Sequence, residues 1–228
     1  MGAGEGESFD RGAIDALVFD LDGTLMDTDD QVVEKLALRL ERLGAAKMHG
    51  LARRMVMAAE SPLNGLITLL DVVGLEGPVL GVWRRLRRGR RGTGHRHYRL
   101  MEGADVVLPA LKARYRLGIV TTRGREAAEA FVSQHGLEGT FDVVVTRETT
   151  WRLKPHPGPI WEAARQLGVP VERCAMVGDT ALDVRSARRA GARSIGVLCG
   201  FGRRRELERA GADVVLDCIP DLLSVFEE

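Results

Sequence analysis

Residues 14–25 read Ile14-Asp15-Ala16-Leu17-Val18-Phe19-Asp20-Leu21-Asp22-Gly23-Thr24-Leu25. The first six are mostly apolar, which predicts a short strand, and the run stops at two carboxylates and a glycine. Beyond it, Val32, Val33, Leu36, Leu40 and Leu43 recur at helical spacing. Further helices are predicted over 51–59, 63–73 and 79–88, punctuated by Gly50, Pro62, Gly74 and Pro78. The pattern changes after Gly103. Helices predicted over 104–114, 125–134, 157–167, 181–190 and 204–210 alternate with strands over 117–120, 141–145, 174–177, 194–198 and 213–216, and a helix ends the chain. Strand and helix in alternation, joined by short connections, mean a parallel sheet covered on both faces. The expected fold class is therefore α/β: a doubly wound parallel-sheet core, residues 13–28 and 100–228, with a smaller α-helical domain, residues 29–99, inserted after the first strand. Residues 1–12, rich in Gly and Glu, read as a loose tail.

The length of 228 residues suits one substantial core with a smaller appendage. A formal charge of +1 gives no global pull toward nucleic acid or an acidic membrane, so neither is expected as a partner. Cys174, Cys199 and Cys218 lack paired spacing, which argues against a disulfide framework or a zinc site. Reduced thiols, no apolar run of membrane-span length and no signal-like N-terminus make the cytoplasm the expected location. Met1-Gly2 begins like a myristoylation signal, but Gly6 stands where that signal needs Ser or Thr. The basic stretch from Arg84 to Arg99, interrupted by Gly89, Gly92 and Gly94, reads as a solvated helix end and hinge. The functional alternative is an electrostatic funnel for an anionic substrate.

Reacting groups in an open parallel sheet gather where the strands end. Three apolar runs here end in residues suited to phosphate chemistry: the first at Asp20 and Asp22, the second at Thr121 and Thr122, a later one at Asp179, with Asp183 four residues on. Lys154 precedes a helix in a connecting loop. Each of these also has a plain structural reading, as turn, strand-end, capping or solvated residue. If the carboxylates meet, each pair at about 4 Å repels by about 4 kcal/mol at an effective dielectric near 20. A cation must then sit among them, and hard oxygen ligands without His or Cys suit magnesium.

Phe19-Asp20-Leu21-Asp22-Gly23-Thr24-Leu25 resembles the first motif of haloacid dehalogenase superfamily phosphatases. Ile119-Val120-Thr121-Thr122, Lys154-Pro155-His156-Pro157 and Gly178-Asp179-Thr180-Ala181-Leu182-Asp183 are similar to the second, third and fourth, in family order. The resemblance implies a Rossmann-like core, a helical cap over 29–99 and Mg2+ as cofactor. Asp20 is then the nucleophile that forms an aspartyl-phosphate, and Asp22 the general acid and base, with Gly23 turning the chain after it. Thr121 binds a phosphoryl oxygen with help from backbone N–H groups near Thr122. Lys154 neutralises both Asp20 and the phosphoryl group. The metal falls to the Asp20 side chain, the Asp22 backbone carbonyl and Asp179, while Asp183 acts through a water or by orienting Lys154. A carboxylate at Asp22 separates the phosphatases from the dehalogenases. Gln31, Val32 and Val33, where related mutases often place a His, favour hydrolysis. The expected activity is hydrolysis of small phosphate monoesters, phosphoglycolate- or sugar-phosphate-like, by a monomer or homodimer. The alternatives are a phosphomutase or phosphotransferase of the same fold, a receiver-like protein, and an inactive phosphate-binding protein.

Overall fold

The computed structural model describes residues 11–27 and 98–226. The helices expected between 29 and 97, and the basic stretch apart from Arg99, lie outside the described residues. A 3-10 turn at Arg11–Ala13 leads into strand β1 (Ala16–Phe19), so the last two residues of the expected tail belong to a regular turn. Two very short strands follow, β2 (Met26–Asp27) and β3 (Arg99–Leu100). The alternating half then comprises α1 (Ala104–Lys112), β4 (Arg116–Val120), α2 (Arg125–Gln134), β5 (Val143–Val145), α3 (Gly158–Leu167), β6 (Cys174–Gly178), α4 (Ala181–Ala190), β7 (Arg193–Val197), α5 (Arg204–Ala210), β8 (Val214–Leu216) and α6 (Asp221–Phe226).

Six strands form one sheet in the order β5-β4-β1-β6-β7-β8. Every pairing within it is parallel. The strands are apolar on consecutive positions because both faces are covered. On one face Leu17, Phe19, Leu117, Ile119, Ala175 and Val177 pack with Val107, Leu108 and Leu111 of α1 and Phe131 of α2. On the other, Ala16, Val18, Val120, Cys174 and Met176 meet Ile160, Ala163 and Ala164 of α3 and Ala187 and Ala190 of α4. The second face is built largely from small residues, which lets these helices lie close to the sheet. Gly118 serves the same fit, since a Cβ there would lie 2.9 Å from a Val143 methyl carbon.

The sheet grows in opposite directions from β1, toward β4 and β5 on one side and toward β6, β7 and β8 on the other. Such a reversal opens a crevice beyond the carboxyl ends of the central strands. The register aligns Phe19 with Ile119 on one side and with Val177 on the other. The residues just past the ends of β1, β4 and β6 are therefore neighbours in space.

β2 and β3 pair antiparallel, Met26 with Leu100 and Asp27 with Arg99, and make a separate two-stranded ribbon. Sequence patterning does not reveal them, since two residues are too few to show a period. Tyr98 immediately precedes β3. The backbone of Tyr98 is fixed there: its N–H donates to Gln134 Oε1 at 3.1 Å, and its carbonyl accepts from the Gln134 side chain.

Candidate active site

The loop after β1 curls tightly, with the N–H groups of Thr24, Leu25 and Met26 all donating to the Leu21 carbonyl. Asp20 stays at the mouth of the sheet, 8% exposed, while Thr24 turns inward and is fully buried. Gly23 has φ +74°, and a Cβ on it would lie 2.4 Å from Asp179 Oδ2. The glycine is thus required twice, for the left-handed backbone and for the close approach of Asp179. Gly23→Ala is expected to destabilise the chain by about 1–3 kcal/mol, from the strained backbone and the displaced carboxylate. Urea denaturation measures this, and an unchanged midpoint would refute the packing argument.

Asp179 follows β6 and is completely buried. Thr24 Oγ1 donates to its Oδ1 at 3.1 Å, and the Phe201 N–H donates to its Oδ2 at 2.8 Å. Added Cβ atoms at Gly200 and Gly202 would lie 2.2 Å from its Oδ2 and 1.8 Å from its carbonyl oxygen. The connection after β7 therefore shapes the site, which the motif reading missed. The sequence signal was present in Gly200 and Gly202, two glycines just beyond a strand end.

Lys154 reaches in from the loop before α3 and is only 5% exposed, unlike the solvated loop lysine considered from sequence. Its ammonium donates to Asp183 Oδ1 at 2.6 Å and to the Val120 carbonyl at 3.1 Å, and it lies 2.8 Å from Asp20 Oδ1. Three acceptors match its three N–H donors. Asp183 also closes a capping box on α4, its Oδ2 accepting from the Thr180 backbone N–H and hydroxyl at 3.1 and 2.6 Å. Holding Lys154 and capping the helix are thus done by the same carboxylate.

Thr121 ends β4 and is 3% exposed. Its N–H donates to the Val145 carbonyl, and its hydroxyl oxygen accepts from the Arg123 N–H at 3.0 Å. Thr122 is exposed beside it. Asp22 makes a different contact from its neighbours. Arg123 Nε and Nη2 donate to its two oxygens at 2.6 and 2.5 Å. The pairing was not foreseen, because an Arg two residues past a strand-end Thr belongs to none of the four motifs.

Carboxylate oxygens of Asp20, Asp179 and Asp183 lie within 4.8 Å of one another. The Asp22 side chain is outside this group; its expected metal contact was through the backbone carbonyl. Three buried carboxylates meet here, and the one ammonium contacts only two of them, Asp20 and Asp183. Burial pushes the Asp20 carboxyl up to about 7, with Lys154 pulling it down and Asp183 and Asp22 adding to the rise. Asp179 is raised well above the usual carboxylate range, by burial first and then by Asp183 and Asp20. Burial opposes the Lys154 ammonium, yet Asp183 and Asp20 outweigh it and hold its pKa above the ordinary lysine value. An all-oxygen cluster short of positive charge fits a hard divalent cation.

Fold and site together define a Rossmann-like hydrolase core with an acidic centre at its switch point. The family model for haloacid dehalogenase-like hydrolase matches residues 17–197, and the chain belongs to that family. It is an enzyme, a hydrolase of the phosphatase kind. It is 30% identical over 221 residues to Pyrophosphatase PpaX of Bacillus cereus, covering 94% of this chain and 97% of that protein. Among solved structures, a hydrolase from Pseudomonas syringae is 28% identical with a TM-score of 0.63, covering 93% of this chain and 98% of that one. A predicted phosphoglycolate phosphatase from Haemophilus somnus shares the fold at 21% identity and TM-score 0.68, covering 94% and 99%. No helix among the described residues is long and apolar enough to cross a membrane.

Proposed function

We propose that the protein is a magnesium-dependent phosphatase that hydrolyses small phosphorylated metabolites through an aspartyl-phosphate on Asp20. The observation that carries this reading is the buried contact of Lys154 with both Asp20 and Asp183, with Asp179 alongside. Asp20 Oδ attacks phosphorus, the ester oxygen leaves, and water then cleaves the acyl-phosphate. Lys154 keeps Asp20 in place and offsets charge as the phosphoryl group arrives. Asp183 orients Lys154, and Thr121 with Thr122 presents hydroxyl and N–H donors to the phosphoryl oxygens. Asp22 gives a proton to the leaving oxygen and later takes one from water. Asp20, Asp179 and the Asp22 carbonyl would hold Mg2+, with Asp183 close enough to join through a water. The ion supplies charge neutralisation for the carboxylates and the phosphoryl oxygens.

Residues 29–99 are proposed as a helical cap, a reading supported by the chain leaving and re-entering the core on paired strands. The free thiols of Cys174, Cys199 and Cys218 are in keeping with a reducing cytoplasm. The test is phosphate release from a panel of monoesters and pyrophosphate, the last included because of the name of the Bacillus relative. Steady turnover with magnesium, lost on chelation and restored by magnesium, is expected. The melting temperature should rise with magnesium as well, because the ion relieves repulsion in the folded state alone. Turnover unaffected by chelator, with no thermal shift, would remove the metal from the proposal.

A further inference from the structure

Arg123 stands beside the proposed reaction centre without a task in it. Its guanidinium holds both oxygens of Asp22 and lies over the Tyr98 ring, its central carbon 5.6 Å from the ring centroid. The ring is itself braced edge-on by Phe131 at 6.5 Å, so the guanidinium plane is set from two sides. The pair remains open to solvent, the Arg123 and Asp22 side chains being 24% and 29% exposed.

Asp22 belongs beside the departing oxygen if it is to pass a proton there. A group that grips Asp22 is therefore a neighbour of the leaving portion of the substrate. The planar fork that fits a carboxylate in two places fits a second carboxylate or a phosphate equally well. While both N–H donors engage Asp22, its oxygens face the guanidinium rather than the ester. Resting on the roles given above to Asp20 and Asp22, we infer that Arg123 selects substrates whose leaving portion carries a second anionic group next to the scissile P–O bond. That group takes over the guanidinium and releases Asp22 for proton transfer. Recognition of the second anion and arming of Asp22 become one event, which disfavours esters of neutral alcohols.

A matched pair tests this: 2-phosphoglycolate and 2-hydroxyethyl phosphate, which differ in a carboxylate against a hydroxymethyl group. Pyrophosphate serves as the arm in which the second anion is a phosphate. With the wild-type protein and magnesium, kcat/KM for phosphoglycolate, pyrophosphate or both should exceed that for hydroxyethyl phosphate at least about tenfold. In Arg123→Met the preference should fall by about 10- to 150-fold, the range for one charged hydrogen-bonding partner. Arg123→Lys, which keeps charge but not the fork, should fall between. A wild-type preference at or below one for both anionic substrates overturns the inference. So does an Arg123→Met protein slowed equally on both members of the pair, which leaves Arg123 a positioning residue for Asp22 alone. Should the methionine variant not fold, the wild-type ratio and the lysine variant decide the matter. No hydrolysis of any substrate by the wild-type protein would instead overturn the phosphatase reading, and this inference with it.

Discussion

Lys154→Met should lower kcat by about 10³-fold, the scale seen when a preorganised charge partner of a transition state is removed. It should also cost about 3–5 kcal/mol of stability near neutral pH, since breaking a buried ion pair strands the remaining charges. Both effects follow from one geometry. The ammonium contacts Asp20, Asp183 and the Val120 carbonyl, and its removal strips Asp20 and Asp183 of the cation they touch while Asp179 stays buried beside them. The stability deficit should shrink on acidification, because protonated carboxyls no longer need a counter-charge. Steady-state kinetics and urea denaturation at two pH values check the pair of effects. Near-normal kcat, or a stability loss below about 1 kcal/mol, would mean that Lys154 is not the charge partner described.

Asp20→Asn should abolish phosphate release, a fall on the order of 10⁴-fold or more, because an amide oxygen does not form the acyl-phosphate. The fold should survive. In chelator, the variant should melt above wild type at pH 8, with the gap narrowing toward pH 5. The sign follows from the carboxyl raised from 3.8 to about 7 in the folded chain. Between those values the folded state binds the extra proton, so wild-type stability falls as pH rises through that window. Asparagine has no such proton to lose. Turnover close to wild type would rule out Asp20 as nucleophile, whereas a variant melting below wild type at pH 8 would refute the repulsion argument.

Much of the described core is legible in its sequence, and the reason is physical. Core strands such as β4 and β6 are apolar on consecutive positions because both faces are covered, and each ends at a polar residue that patterning alone can locate. α2, α4 and α5 begin and end at the predicted residues, since Gly124, Gly191 and Gly211 stand at their ends. Local chemistry of this kind needs no tertiary information. What escaped reading depends on groups remote along the chain. The Arg123–Asp22 pair spans 101 positions and the Phe201–Asp179 bond 22, and no spacing rule connects either. The β2–β3 ribbon escaped for the same reason, its strands being defined by each other and not by a repeat. Asp183 was legible as a helix-start acid, and the family resemblance offered orienting Lys154 as one of its roles; that one carboxylate does both at once required the fold.

That ribbon has a practical consequence. Asp27 and Arg99 sit opposite each other as the terminal pair of two antiparallel strands, the situation that a two-residue Asn-Gly turn closes in ordinary hairpins. The whole segment between them is thus a cassette on a standard joint. Exchanged between Asp27 and Tyr98, so that Tyr98 keeps its bonds to Gln134, the segment is expected to leave the register of the main sheet unaltered. Chimeras cut beside this pair are expected to let the core and the inserted segment be varied one at a time.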